Sequence, residues 1–344
     1  MEKQIINVGT LRSISNLNYS LSKELKILRN GYIHGEGRIP VWDLTNIIPK
    51  NVSIASLTAF LSISKVVRDF VGQPIEVMLL WQPDFQSFLL DIGFLQIARD
   101  FDLYNWNGML GGFEGNKTSP HTKIFYYSDI PEIDPINQEE VIEWKDRKRQ
   151  EIKHSIHFRL SNLFNNDIFY EQWNKNLEGI FNITISELVV NALLHGRAIA
   201  FVGVQRTRTG ISTSVCDAGR GFLRSLIGNK NHLEAILEKS TLKALIYSSF
   251  QSKNKIGLYR AINDIIFSEG YVNISSYDGE ILWKHDLWNS IKENDEESYM
   301  REFNLESHKN YVTGFTDTDI LRQGYFKKYE DFLVGSRISF EIPF

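Results

Sequence analysis

The chain has 344 residues, a formal net charge of −4, 42% hydrophobic and 12% aromatic residues. That length suggests two domains with well-filled cores, and the charge argues against a protein that binds nucleic acid through bulk positive potential. The lone cysteine, Cys216, excludes a disulfide framework and a thiolate zinc cluster. With no run of 18 apolar residues and a polar start, MEKQIINVGT, the expected compartment is the cytosol, with no membrane partner.

Strand and helix signals alternate from Ile39 to Trp106. Ile39–Leu44 and Ile75–Trp81 read as short buried strands. Between them Ile54, Leu57, Leu61 and Val66 to Phe70 recur at helical spacing, closed by Gly72 and Pro74. Phe85, Phe88, Leu89, Ile92 and Leu95 form a second apolar stripe begun by Pro83 and Asp84. The order implies a small parallel α/β domain over residues 1–130, with a regulatory or docking role. Asn107–His121 is a glycine-rich loop. Prolines, acidic residues and the basic run KDRKRQ mark a boundary, so residues 131–154 are a linker and helix. KDRKRQ and the stretch near residue 29 leave room only for a local basic patch. The helix over 140–165 carries His154 and His157, read as solvated or packed histidines and not as phosphoacceptors.

The most informative segments come next. Within SELVVNALLH, Glu187, Asn191 and His195 fall at i, i+4 and i+8, so a carboxylate, an amide and an imidazole share one helix stripe. Ile185, Leu188, Val189 and Ala192 take the other side, which can pack on a sheet. About thirty residues later a strand, Ser212–Cys216, runs into the turn Asp217-Ala218-Gly219-Arg220-Gly221. A third element, Lys255-Ile256-Gly257-Leu258-Tyr259, precedes a helix over Gly257–Phe267. Tyr271–Ser276 and Ile281–Trp283 read as a hairpin around Asp278-Gly279.

These motifs resemble the GHKL ATPase superfamily, which includes gyrase, sensor histidine kinases and anti-sigma-factor kinases. Glu187-x-x-x-Asn191-x-x-x-His195 is similar to its N-box, Asp217–Gly221 to its adenine-binding box, and Lys255–Tyr259 to its second glycine box, where Lys255 replaces a glycine. The ending GSRISFEIPF resembles that of kinase-type members, and the N-terminal part looks like STAS-type domains. The resemblance implies a Bergerat-type α/β sandwich over 155–344, a mixed sheet with helices on one face. It also implies ATP and Mg2+ as ligands, and a mobile lid over Leu223–Asn254. Asn191 would hold Mg2+, and Glu187 would be the general base. His195, Asp217, Gly219, Gly221, Lys253, Lys255, Gly257 and Leu258 would contact nucleotide. For His195 a helix-capping role stays open, and for the two lysines an ordinary exposed position does.

The segment His285–Leu333 is a long insert, too rich in aromatic residues for a linker. It is expected to pack on the ATPase sheet, on the N-terminal domain or on a second copy of the chain. Three functions follow: an ATP-driven regulatory switch with slow hydrolysis, a protein kinase acting on a partner, or a non-catalytic ATP-binding module. Each implies a protein partner, co-encoded with this chain, and a homodimer is compatible with all three.

Overall fold

In the computed structural model, residues 2–80, 82–106, 119, 121–133, 138–164, 175–227, 240–250, 257–291 and 316–344 are described. The first unit is a parallel sheet in the order β1 (Lys3–Asn7), β2 (Ile39–Asp43), β3 (Ile75–Met78) and β4 (Tyr104–Asn105). The crossovers are α1 (Ile14–Ile33), α2 (Ile54–Val71), and the pair α3 (Pro83–Asp91) and α4 (Phe94–Asp100). Ser13 and Ser53 cap α1 and α2 by accepting from the backbone N–H three residues on, and Gly72 ends α2 at φ +74. The stripe expected as one helix after Pro83 is broken at Gly93, whose φ is +91; a Cβ there would lie 2.7 Å from the Ile124 carbonyl oxygen.

The second sheet runs β5 (Thr122–Tyr127), β6 (Ala200–Arg206), β7 (Gly210–Asp217), β9 (Phe326–Pro343) and β8 (Tyr271–Trp283). Every described pairing is antiparallel, so this sheet is not the mixed sheet expected. Strand β5, expected in the first domain, pairs with β6 from Thr122 to Tyr127. The hairpin expected at Asp278-Gly279 is also absent. Residues 271–283 form one strand whose partner is β9, with register shifts at Ser276/Tyr277 and Tyr277/Gly279. Asp278 and Gly279 form the irregularity itself: Thr241 donates to Asp278 at 2.6 Å, and a Cβ at Gly279 would lie 3.0 Å from the Thr241 side chain.

One face of this sheet is covered by α5 (Gln138–Phe164), α6 (Lys175–Asn191), α8 (Thr241–Phe250) and α9 (Leu258–Phe267). They bury Ile152, Ile185, Leu188, Val189, Leu245 and Ile262 with Val202, Val215 and Phe340. Leu177–Gly196 alone among the described residues is long and apolar enough to cross a membrane, and it is largely buried here as a core helix. The other face is not open. Helices α1 and α2 of the first unit lie on it, and Phe60, Trp42 and Phe94 share a core with Ile124, Phe201, Cys216 and Leu333. The expectation of helices on one face therefore fails, because two helices of the parallel unit supply a second layer.

Helix α2 is buried almost all round, as a helix between two sheets must be. Small residues let it approach closely: a Cβ at Gly203 of β6 would lie 2.1 Å from the Thr58 hydroxyl. Its hydroxyls are satisfied inside the protein, with Thr58 donating to the Ile54 carbonyl and Ser64 accepting from Tyr104.

Of the insert, residues 292–315 lie outside those described. The helical segment 285–291 buries Leu287, Trp288 and Ile291, and Trp288 stacks on Phe250 at 4.5 Å. After the short helix α10 (Asp317–Leu321), Phe326 already opens β9, so the described parts of the insert pack on the antiparallel sheet. Of the lid expected over Leu223–Asn254, residues 228–239 and 251–254 lie outside those described; the described part includes α8, which is a core helix and no peripheral cover.

Candidate functional site

The apolar side of α6 fixes the site. Ile185, Leu188, Val189 and Ala192 are buried in the sheet-facing core, Glu187 and His195 face cations of α5, and Asn191 is half-buried at the end of α6. At Ala192 the helix widens into a π-turn ending at Gly196, and Arg197 closes it in the left-handed region at φ 52. Such turns re-aim side chains at the end of a helix and recur at functional sites. The Arg197 guanidinium donates to the carbonyls of Pro131 and Ile133, which fixes the turn to the segment before α5.

Gly196 then meets the second motif. Its carbonyl accepts from Arg220 N–H at 3.2 Å, and a Cβ on Gly219 would lie 2.2 Å from the same oxygen. Only glycine fits that crossing. Asp217 sits at the end of β7, buried, with Oδ1 accepting from Gly219 N–H at 2.8 Å. Burial pushes its carboxyl up to about 6, partly offset by the Gly219 N–H, Ser336 and the nearby Arg337. Gly221, at φ +68, packs against Ser276 and Tyr277 and starts α7 (Gly221–Ile227). Gly335, at φ +92, lies so close behind that a Cβ would fall 2.0 Å from the Asp217 carbonyl oxygen. The closing strand thus supports the turn.

Gly257 caps α9 at φ +71, and its Cβ position would be 3.9 Å from Glu187 Oε2. The first helical turn after Gly257, including Leu258, thereby approaches the carboxylate of the stripe. Lys253 and Lys255 lie outside the described residues.

Two cations of α5, which sequence reading treated as part of a basic run, complete the cluster. Arg149 Nη2 donates to Glu187 Oε2 at 3.1 Å, and its Nε lies 2.6 Å from Oε1. One turn earlier, Lys145 Nζ is 3.5 Å from His195 Nε2. Burial, and then the charge of Arg149, lowers the Lys145 ammonium. Desolvation, followed by Lys145 and Arg197, pulls the His195 imidazole down to about 4, although the residue is exposed by surface area, so the shift in solution is smaller. The ring is therefore neutral at pH 7. The only advance signal for this pair was its i, i+4 spacing within KDRKRQ.

Chemically the cluster offers one buried carboxylate, one amide, a neutral imidazole and two cations beside a helix N-terminus, with a second buried carboxylate across the Gly196 crossing. Among the described residues no group of three His, Cys, Asp or Glu side chains could hold a metal ion by itself. A hard cation at Asn191 would need oxygens from a ligand, as Mg2+ bound through phosphates does. His154 and His157 are exposed on the same helix; His154 hydrogen bonds to the Gln150 carbonyl, and His157 faces Glu178 at 3.6 Å. The buried Cys216 thiol is raised by burial and is no nucleophile. An apolar cavity of about 110 Å³ between α1, α2 and the middle of β9 shares no lining residue with this cluster.

Comparison with family models, curated proteins and solved structures finds no match to this chain.

Proposed function

We propose that this chain is an ATP–Mg2+-binding regulatory protein of the GHKL type, with a Bergerat-like nucleotide site and slow hydrolysis. The observation that carries this reading is the backbone crossing at Gly196. It brings the Glu187–Asn191–His195 stripe and the Asp217–Gly219–Gly221 turn, remote in sequence, into contact. Each residue then has a task suited to its chemistry. Asp217 accepts from the adenine amino group, which a guanine carbonyl does not offer. Gly219 and Gly221 let the backbone pass close to the base. The Asn191 amide oxygen contributes to the coordination shell of Mg2+, which when bound neutralises phosphate charge. The N-terminus of α9 at Gly257 and Leu258 receives phosphate oxygens, with Lys253 and Lys255 as further cations. Glu187 accepts the proton of an attacking water as the γ-phosphoryl group leaves ADP.

The regulatory half of the reading rests on α2. The helix lies directly behind the adenine turn, so occupancy of the site is communicated to the parallel unit, which docks a co-encoded protein partner. A kinase acting on that partner is the second reading. Its specific support is the nucleotide geometry combined with two exposed histidines that lack a phosphoacceptor setting, which would direct transfer to another chain. Loss of turnover through Lys255 would leave a non-catalytic ATP-binding module.

Calorimetry with ATP and GTP in the presence of Mg2+ tests the proposal. ATP should bind in clear preference; equal affinity for both, or none for either, would falsify the nucleotide reading.

A further inference from the structure

Two cations of α5 face the polar groups of α6 and its π-turn: Lys145 stands beside His195, and Arg149, one turn on along α5, stands beside Glu187, eight residues before His195. The Glu187 carboxylate is only 7% exposed and Arg149 21%. Both carboxylate oxygens face the guanidinium, at 2.6 and 3.1 Å. The remaining edge of Arg149 is steadied by the exposed Asp146, at 2.8 Å from Nη1. The guanidinium thus engages the carboxylate that would otherwise serve as a base, a role that needs an oxygen turned toward a water.

We propose that Arg149 is a polyphosphate sensor, held by Glu187 until an incoming polyphosphate takes the guanidinium and frees the carboxylate. The proposal rests on the reading of this stripe as a triphosphate site, and it adds how that site is kept idle. Phosphate suits the exchange: a guanidinium fork matches its oxygens bidentately, and a triphosphate brings more negative charge than one carboxylate. Lys145, one turn away, and the N-terminus of α9 near Glu187 lie where the same anion would reach them. Glu187 and phosphate then compete for one cation, and the competition predicts opposite signs for two substitutions at one ion pair.

The test is titration calorimetry with sodium tripolyphosphate at fixed ionic strength. Glu187→Gln removes the competing charge and should tighten binding about tenfold over wild type, which is about 1.4 kcal/mol. Arg149→Gln should weaken it about tenfold, and Lys145→Gln several-fold with the Arg149–Glu187 pair left intact. A merely structural ion pair would give no tightening in Glu187→Gln. The proposal is overturned if Glu187→Gln binds no more tightly than wild type, or if tripolyphosphate binds to none of these proteins. If Arg149→Gln fails to fold, the Glu187→Gln arm decides alone. A parallel titration with ATP and Mg2+ separates the two readings: no ATP binding alongside the predicted tripolyphosphate pattern removes the nucleotide assignment and leaves the sensor standing.

Discussion

The Ser62 hydroxyl, on α2 of the parallel unit, donates to the backbone carbonyl of Asp217 at 2.7 Å, and both residues are buried. A helix of one unit thus holds the residue that recognises the base in the proposed site of the other. Ser62→Ala should cost about 1 kcal/mol of stability, the usual net worth of one buried hydrogen bond. It should also weaken nucleotide binding measurably without touching the ligand. Thermal unfolding and calorimetry on the same sample check both; a stability loss with unchanged affinity would show that the contact only joins two layers.

Separate tasks are expected for two residues of one stripe. Glu187→Ala should retain ATP binding, tightened by loss of the charge that competes for Arg149, while lowering hydrolysis or transfer, and Asn191→Ala should lose the Mg2+ dependence of binding. Calorimetry with and without EDTA, with a phosphate-release assay, distinguishes them. Normal binding and normal turnover in both variants would remove the catalytic assignment.

Acid titration should reveal two opposed contributions. His195 is held near 4 against an ordinary 6.5, so the stability it contributes is present above 6.5 and lost as pH falls toward 4. Asp217 is raised to about 6 from 3.8, so its contribution is full below 3.8 and lost as pH rises through 6. His195→Asn should therefore flatten the loss of stability between pH 6.5 and 4, and Asp217→Asn should flatten the loss on the rise toward pH 7. Urea unfolding at four or five pH values is the measurement; parallel curves for His195→Asn and wild type would contradict the assignment.

At Trp288, fully buried and in contact with Phe250, Tyr259 and Trp283, the start of the insert joins the main core. Trp288→Ala should destabilise the protein by about 3–5 kcal/mol, the range for deleting a large buried aromatic side chain. A change within 1 kcal/mol on denaturant unfolding would mean that this segment adds little to the core.

The sequence alone determined the periodic features. Helix α2 and its glycine cap, strands β2 and β3, and the strand running into Asp217 all follow from spacing that local geometry imposes. Tertiary structure alone decided whatever depends on which distant segment lies opposite. The apparent hairpin at Asp278-Gly279 is one strand because its partner, β9, arrives more than forty residues later, and turn chemistry cannot report such a pairing. Strand β5 joins the second sheet, and α1 and α2 cover that sheet's far face, because the apolar sides of these elements are equally compatible with several neighbours. The same reason hid Arg149 and Lys145. A basic run on a helix is usually a solvated face, and only the antiparallel packing of α5 on α6 sets those two cations against Glu187 and His195.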